Sequence, residues 1–418
     1  MSEKPTKLWN KNFILLSQGR FVSLLGSVLF SVALGFWVLD KTGSGTLMGS
    51  IMAASSLPRI IISPFAGPFV DRFRKNRILV WCDFIIGIIV LAATVIIYMD
   101  LLEVWMVFII GISAGIVSAF FNPASAAIIP EIVPAEKMTN AGSVNSMLSS
   151  ATDILGSPVG GILYAAFGAP LLFLVNGISY VFSAISEIFI KVPKKEKHPH
   201  AEYSYWNDLK AGIKYTISHI GIRNFMLLAA LMNFMMSAAI VTLMPYFQRT
   251  AGLGAEKYGV AMSLLTIGMF VGGLLMSMLR VTNKNRFKLL FYSLVIAEIS
   301  LALSLLWGYW STLAFFFIGG LGIVIVNVII GAVLQLVIEP DMRGKFFAFS
   351  SSISAGLTPL GMALGGVLSD YFSIPMIFLF INLIVLAIFV TVILLSKKTR
   401  NIFYIPGEDA IKDEPAET

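Results

Sequence analysis

Two ionisable residues stand in the middle of long apolar stretches, where a charge is costly. Arg59 and Asp153 each lie about halfway along such a stretch, whereas Asp40 and Asp83 lie nearer the ends, where loop contacts can satisfy them. A carboxyl group in mid-membrane can bind and release a proton, so we predict that Asp153 couples transport to protons, with Arg59 as its countercharge. An ion pair that serves only the structure explains these two residues equally well.

Other chemistries lack the residues that they require. The stretch from Gly35 to Thr42 imitates a phosphate-binding loop, but Asp40 replaces its second glycine and removes the anion-binding backbone. The 3 histidines lie in the polar segment 191–222 without an acid or cysteine at metal-ligand spacing, and Cys82 is the sole cysteine. No nucleophile, base and orienting group form a pattern. We therefore predict no enzymatic activity, no metal and no cofactor.

Long apolar helices must carry these candidate residues. The 418 residues are 57% hydrophobic and 13% charged, with a mean hydropathy of +0.86, while soluble domains carry about 25% charged residues. A membrane-spanning helix needs about 20 mostly apolar residues. This length predicts twelve spans, at residues 13–40, 46–70, 78–98, 104–128, 139–166, 169–190, 223–248, 256–280, 287–308, 311–337, 344–369 and 374–396.

The basic residues predict how the spans are oriented. Most of the 30 Lys and Arg fall in loops on the side that both termini share, and the other side carries only Lys41, Arg249 and Lys257. Because cytoplasmic loops carry the positive excess, both termini are predicted to be cytoplasmic in a multi-pass protein of the cell membrane. The net charge of +7 is thereby explained by orientation, so we predict no nucleic-acid partner.

The two halves of the sequence repeat one another. Lys75-Asn76-Arg77 recurs as Lys284-Asn285-Arg286, and the pair Pro158 and Gly160 recurs as Pro359 and Gly361, a pattern expected to bend both helices. We predict a six-helix bundle at 1–190, a cytoplasmic linker at 191–222, a second bundle at 223–396 and a disordered tail at 397–418. Apolar residues recur through the linker at helical spacing, which predicts an amphipathic helix in the headgroup layer or a plain solvated connector.

A polar loop separates the second and third predicted spans. Gly67, Asp71, Arg72, Arg74 and Lys75 form the stretch Gly-x-x-x-Asp-Arg-x-Arg-Lys. It resembles the signature loop of the major facilitator superfamily, Gly-x-x-x-Asp-Arg-x-x-Arg-Lys, with one residue fewer before the final basic pair. The resemblance implies an all-α membrane protein with twelve transmembrane helices in two pseudo-symmetric six-helix bundles.

The same resemblance implies a gating role for this loop. In the superfamily the acid of the loop latches the cytoplasmic side shut at the start of the eleventh helix, where a helix N-terminus attracts a carboxylate. Asp71 is therefore expected to latch the region 343–345, beside Arg343.

Softer signals resemble the bacterial macrolide-efflux-like branch, which includes siderophore exporters. They are Gln18-Gly19, Asp40 to Ser44, Pro123-Ala124 and Trp206 to Tyr215. The resemblance implies export of a bulky amphiphilic compound in exchange for protons. The fourth-helix arginine of drug antiporters is absent, because 104–128 holds no charged residue, and this departs from ordinary proton coupling. The alternative is a siderophore, lipid or nutrient carrier of the same fold, either coupled or an uncoupled facilitator. A membrane enzyme or a channel is a distant alternative.

A bulky apolar substrate requires a broad pocket with few polar anchors. The resemblance implies that the first, fourth and seventh helices line the cavity and that the ninth, with Glu298, lies outside it. The predicted cavity residues are Phe36, Trp37, Phe120, Phe121, Asn122, Asn233, Phe234, Met235 and Met236. The same residue types also serve helix packing and lipid contact. The expected partners are the amphiphilic small molecule, protons and the lipid bilayer, and the protein is expected to be a monomer.

Overall fold

The structure is a computed structural model, which describes residues 7–192, 205–279, 281 and 283–403; some side chains within these ranges, including those of Asp71 and Asp153, are not described. The described part is helical throughout, which confirms the predicted all-α class. Its helices are α1 (Lys11–Thr42), α2 (Gly45–Arg72), α3 (Lys75–Tyr98), α4 (Val104–Ile132), a 3-10 turn (Ala135–Lys137), α5 (Met138–Ile188), α6 (Tyr205–Ser218), α7 (Ile220–Arg249), α8 (Ala255–Met278), α9 (Asn283–Leu303), α10 (Tyr309–Val337), α11 (Pro340–Tyr371), α12 (Ile374–Leu395) and α13 (Lys397–Asn401).

Within the described residues, ten helical stretches are long and apolar enough to cross a membrane. Twelve spans were predicted, two more than these ten stretches. One stretch, α5, contains two of the predicted spans, and α9, which begins with several basic residues, is the twelfth. The two spans in α5 are separated at Gly168, whose φ of 70° and ψ of −173° leave the helical region. A residue with a side chain rarely adopts that φ, and Pro170 helps to restart the helix after the break.

The chain forms two compact units. The first unit comprises Met1–His200 and Met244–Val260, and the second comprises Ala201–Leu243 and Ala261–Thr418. In the first, α1 and α3 pack on α5, and α2 packs on α4. In the second, α9 packs on α10 and α12. The end of α7 and the start of α8 therefore belong with the N-terminal helices.

The predicted linker contains a helix that packs on the second unit. An ideal Cβ on Gly212 of α6 would lie 2.7 Å from the carbonyl oxygen of Lys345 in α11, so the two backbones are in close contact. Tyr215 and Thr216 are buried on this face, while Ile217 is 56% exposed. Residues 193–204 and 404–418 lie outside the described residues, but the start of the predicted tail forms the short helix α13.

Candidate functional site

The signature loop is a tight connection between α2 and α3. α2 ends at Arg72 and α3 begins at Lys75, and the side chains of Arg72 and Arg74 are exposed. Lys75 Nζ lies 2.8 Å from Glu131 Oε1 at the end of α4, with both side chains mostly buried. Lys75 thus ties the loop to α4, a partner that the sequence pattern did not identify. Gly67 has open space around the position of a Cβ, so no close helix contact requires glycine there.

The start of α11 lies earlier than predicted. The helix begins at Pro340 rather than Gly344, because proline suits the first turn of a helix, where its missing N–H is not needed. Arg343 is therefore inside the first turn, where its Nε donates to the carbonyl oxygen of Ile338 at 2.9 Å. The latch between Asp71 and residues 343–345 remains a prediction, since the side chain of Asp71 is outside the described part.

Of the predicted proton-coupling pair, the structure describes the side chain of Arg59 only. The side chain of Arg59 is exposed in the middle of α2, whereas that of Asp153 in α5 lies outside the described part. Their pairing remains a prediction.

The predicted bending residues lie in uninterrupted helix. α5 continues past Pro158 and α11 continues past Pro359. An ideal Cβ on Gly361 would lie 2.3 Å from the carbonyl oxygen of Phe234, and one on Gly160 would lie 3.2 Å from Val32. These glycines therefore sit where α11 approaches α7 and where α5 approaches α1.

The predicted cavity residues of α1 are packed inside the first unit. Phe36 is 0% exposed and Trp37 is 8% exposed. The ring of Phe36 lies 5.4 Å from that of Tyr164 in α5 and 5.3 Å from that of Tyr258 in α8. In α4, Phe120 contacts Phe69 of α2 edge to face at 5.3 Å. Phe121 is partly buried against the core of the unit, and Asn122 is exposed.

Polar contacts close the end of the first unit opposite to the start of α1. Asp40 at the end of α1 accepts hydrogen bonds from Tyr164 Oη at 2.5 Å and from Gln248 Nε2 of α7. Arg249 Nη2 donates to the carbonyl oxygen of Gly43 at 2.7 Å. We call these five residues the terminal cluster. It joins α1 and α5 to the end of α7, which explains why residues 244–260 belong to this unit.

Close backbone contact between α5 and α8 lies beside the terminal cluster. An ideal Cβ on Gly161 would lie 2.3 Å from the carbonyl oxygen of Ala255, and one on Gly259 would lie 2.8 Å from that of Pro158. Both distances are too short for a real Cβ, so the two helices approach here only because each presents a glycine.

The second unit contains a cavity of about 150 Å³ between α7, α9, α10 and α12. Two of the predicted cavity residues, Asn233 and Met236, line it, while Phe234 and Met235 are partly buried on other sides of α7. Glu298 also lines this cavity, which lies within the second unit.

Asp83 and Glu187 form a pair of buried acids that the sequence alone does not reveal. Asp83 of α3 is 2% exposed and Glu187 of α5 is 0% exposed, and their carboxyl groups interact electrostatically. Neither carboxyl oxygen of Glu187 has a hydrogen-bond partner among the described residues. The sequence shows only that each of two apolar stretches has an acidic residue near one end. The packing of α3 on α5 brings these two residues together.

A family profile and several known transporters resemble this chain in sequence. The family profile described as transmembrane secretion effectors matches residues 6–404. Macrolide efflux protein A of Streptococcus pyogenes is 25% identical over 385 residues, which cover 91% of this chain and 95% of that protein. The staphyloferrin A transporter of Staphylococcus aureus is 24% identical over 262 residues, covering 61% of this chain and 64% of its own.

A solved structure has the same fold at low sequence identity. It is a bacterial homologue of the human lysosomal transporter Spinster in an inward-facing, unoccupied conformation, with a TM-score of 0.69 and 13% identity over 98% of this chain and 99% of that one. The predicted fold class, twelve transmembrane helices in two pseudo-symmetric bundles, is confirmed.

Proposed function

The chain belongs to the transmembrane secretion effector family of major facilitator transporters, and from that premise we propose that it exports a bulky amphiphilic, macrolide-like small molecule from the cytoplasm. The observation that carries the proposal is the similarity to a macrolide efflux protein over 91% of the chain. Transport would proceed by alternating access, with both termini on the cytoplasmic side and the monomer as the working unit.

The terminal cluster supports a gating role at the outer end. Asp40 is held by donors from α5 and α7, and Arg249 holds the backbone of the α1–α2 turn. Each of these hydrogen bonds contributes about 1 kcal/mol, an amount that a transport cycle can break and restore. In the proposed cycle this cluster breaks when the substrate leaves the cell.

Proton antiport is the proposed source of energy. Asp153, with Arg59 as its countercharge, is the proposed coupling group. The pair Asp83 and Glu187 is a second candidate, because both carboxyl groups are buried in the first unit and interact electrostatically.

Drug accumulation in an efflux-deficient bacterium tests the function. Cells that express the chain should accumulate less radiolabelled macrolide than cells with an empty vector, and collapsing the proton gradient should abolish the difference. A susceptibility panel of amphiphilic compounds extends the test to other substrates. Equal accumulation for every compound in the panel would contradict export.

A siderophore carrier is the second candidate, favoured by the similarity to a staphyloferrin A transporter. The experiment that separates it from the first is siderophore release from iron-starved cells. Loss of the chain would lower the extracellular siderophore without changing macrolide accumulation. In that case the transporter assignment stands and the substrate assignment changes.

A further inference from the structure

The cavity of the second unit contains one ionisable side chain in otherwise neutral walls. Glu298 of α9 is 8% exposed and lines the cavity, and it has no hydrogen-bond or ion-pair partner among the described residues. A carboxylate buried without a partner is costly in a membrane protein, so such a group marks a site for a ligand or a proton.

Two carboxamides that line the cavity with Glu298, those of Asn233 and Asn382, each donate a hydrogen bond within their own helix. Asn382 Nδ2 donates to the carbonyl oxygen of Phe378 at 2.6 Å, and Asn233 Nδ2 donates to that of Ala229 at 2.9 Å. Since a carbonyl oxygen can only accept, the nitrogens of both amides are fixed along their own helices, and their Oδ1 atoms remain as acceptors. The polar groups of the cavity are therefore rich in acceptors, which suits a positively charged donor.

The size and walls of the cavity favour an organic cation over a metal ion. A cavity of about 150 Å³ admits a group of roughly the size of benzene. Its walls include Met236, Ile323 and Val385, which offer apolar contact to the alkyl groups of an organic cation. Asn233 and Asn327 are exposed on α7 and α10, so the cavity opens at that face, while Glu298 and Asn382 are buried.

We propose that this cavity binds the protonated amine of the transported amphiphile, with Glu298 as the counterion and the asparagine oxygens as hydrogen-bond acceptors. The inference rests on the proposed export of an amphiphile and makes it more specific, because it selects cationic over anionic substrates. An ammonium group would donate its N–H to the carboxylate while its alkyl groups contact the methionine and aliphatic walls. An anionic siderophore would meet an uncompensated negative charge there.

Direct binding to the full-length protein in nanodiscs tests this. The probes are tritiated 3-(naphthyl)propyl-dimethylamine and its neutral isostere, in which a CH group replaces the nitrogen. The wild-type protein should bind the amine at least about tenfold more tightly than the isostere, since hydrogen bonds to charged groups contribute that much. Glu298→Gln, which keeps the size of the side chain, should remove this preference, while Glu298→Asp should retain part of it.

The matched control is Glu136→Gln, which makes the same chemical change at an exposed carboxylate of the first unit and should leave the preference unchanged. An equal affinity of the wild-type protein for amine and isostere would refute the proposal, as would a preference that survives Glu298→Gln. Competition by millimolar Na⁺ at constant ionic strength would also refute it, since the cavity would then be a metal-ion site. The wild-type comparison remains decisive if a variant does not fold.

Failure of this inference can be distinguished from failure of the proposed function. If cells export macrolide but the amine preference does not depend on Glu298, export stands and the cavity assignment is wrong. If the preference depends on Glu298 but no compound is exported, the binding site stands and the export proposal is wrong.

Discussion

At the scale of single residues, the acidic residues of the predicted spans differ in what is known of their surroundings. Glu298 lines a cavity, Asp83 and Glu187 are buried and interact electrostatically, and Asp153 is placed by the sequence in the middle of a predicted span. Only a group that exchanges protons with both sides of the membrane can couple export to a gradient. Burial alone therefore does not identify the coupling residue, and substitution must do so.

Asp153→Asn should lower proton-driven export at least about tenfold, because the amide cannot carry a proton through the cycle. Export would be measured in proteoliposomes with an imposed pH gradient, with downhill substrate exchange as the control for folding. The parallel variant Glu187→Gln should leave the coupling intact. The reverse pattern would transfer the coupling role to the Asp83 and Glu187 pair, and full activity of both variants would remove carboxylate coupling at either site.

Tyr164→Phe should weaken the terminal cluster, since it removes the hydroxyl that donates to Asp40 and keeps the ring that contacts Phe36. A lost hydrogen bond of about 1 kcal/mol corresponds to about a fivefold shift toward the open outer end. A cysteine placed at Val38, which is 0% exposed in this structure, would report the shift through its rate of modification by an impermeant maleimide.

The control for the labelling experiment is a second tyrosine-to-phenylalanine substitution, at a tyrosine outside the terminal cluster. Tyr98→Phe removes a hydroxyl from an exposed tyrosine at the end of α3 and should leave the labelling rate unchanged. Both variants require a Cys82→Ala background, since Cys82 is the one native thiol. An unchanged rate in Tyr164→Phe would mean that the cluster does not govern access to α1.

At the scale of elements, glycines set how closely α5 and α8 approach. Gly259→Ala places a methyl group too close to the carbonyl oxygen of Pro158, so the helices must separate. Gly273→Ala in the same helix meets no atom within 4 Å and should gain up to about 1 kcal/mol from helix propensity. We expect a lower unfolding temperature for the first variant and an equal or higher one for the second. Equal effects of the two changes would show that the contact is not stabilising.

The helices themselves were largely predictable from the sequence. Apolar stretches of the length of a bilayer predicted every long helix, because the unpaired backbone groups of any other structure are too costly in lipid. The ends were less predictable, as for α11, since a helix can extend beyond the membrane until a proline or a polar turn stops it. The packing of α6 on α11 through Gly212 had no signal in the pattern of apolar residues.

At the scale of the whole molecule, the signature loop is proposed to control the cytoplasmic side. Asp71→Asn keeps the size of the side chain and removes its charge, so the protein should insert normally while the proposed latch at the start of α11 weakens. Cysteine accessibility should then shift toward the inward-open state. Arg77→Gln, at an exposed position near the start of α3 and outside the signature residues, is the control for general loss of charge. Unchanged accessibility and transport in Asp71→Asn would remove the latch.

The sequence by itself determined that this is a membrane protein of twelve apolar helices, with a duplicated pattern and the signature of its superfamily. These properties depend on composition and on short spacings. Each residue contributes its own free energy of transfer into lipid, so they can be predicted without knowing which helices pack together. Tertiary structure alone decided which side chains meet: Asp40 with Tyr164 and Gln248, Lys75 with Glu131, and Glu298 with a cavity. Such contacts join residues far apart in the chain, and side-chain shape and helix packing select them, so no local pattern contains them.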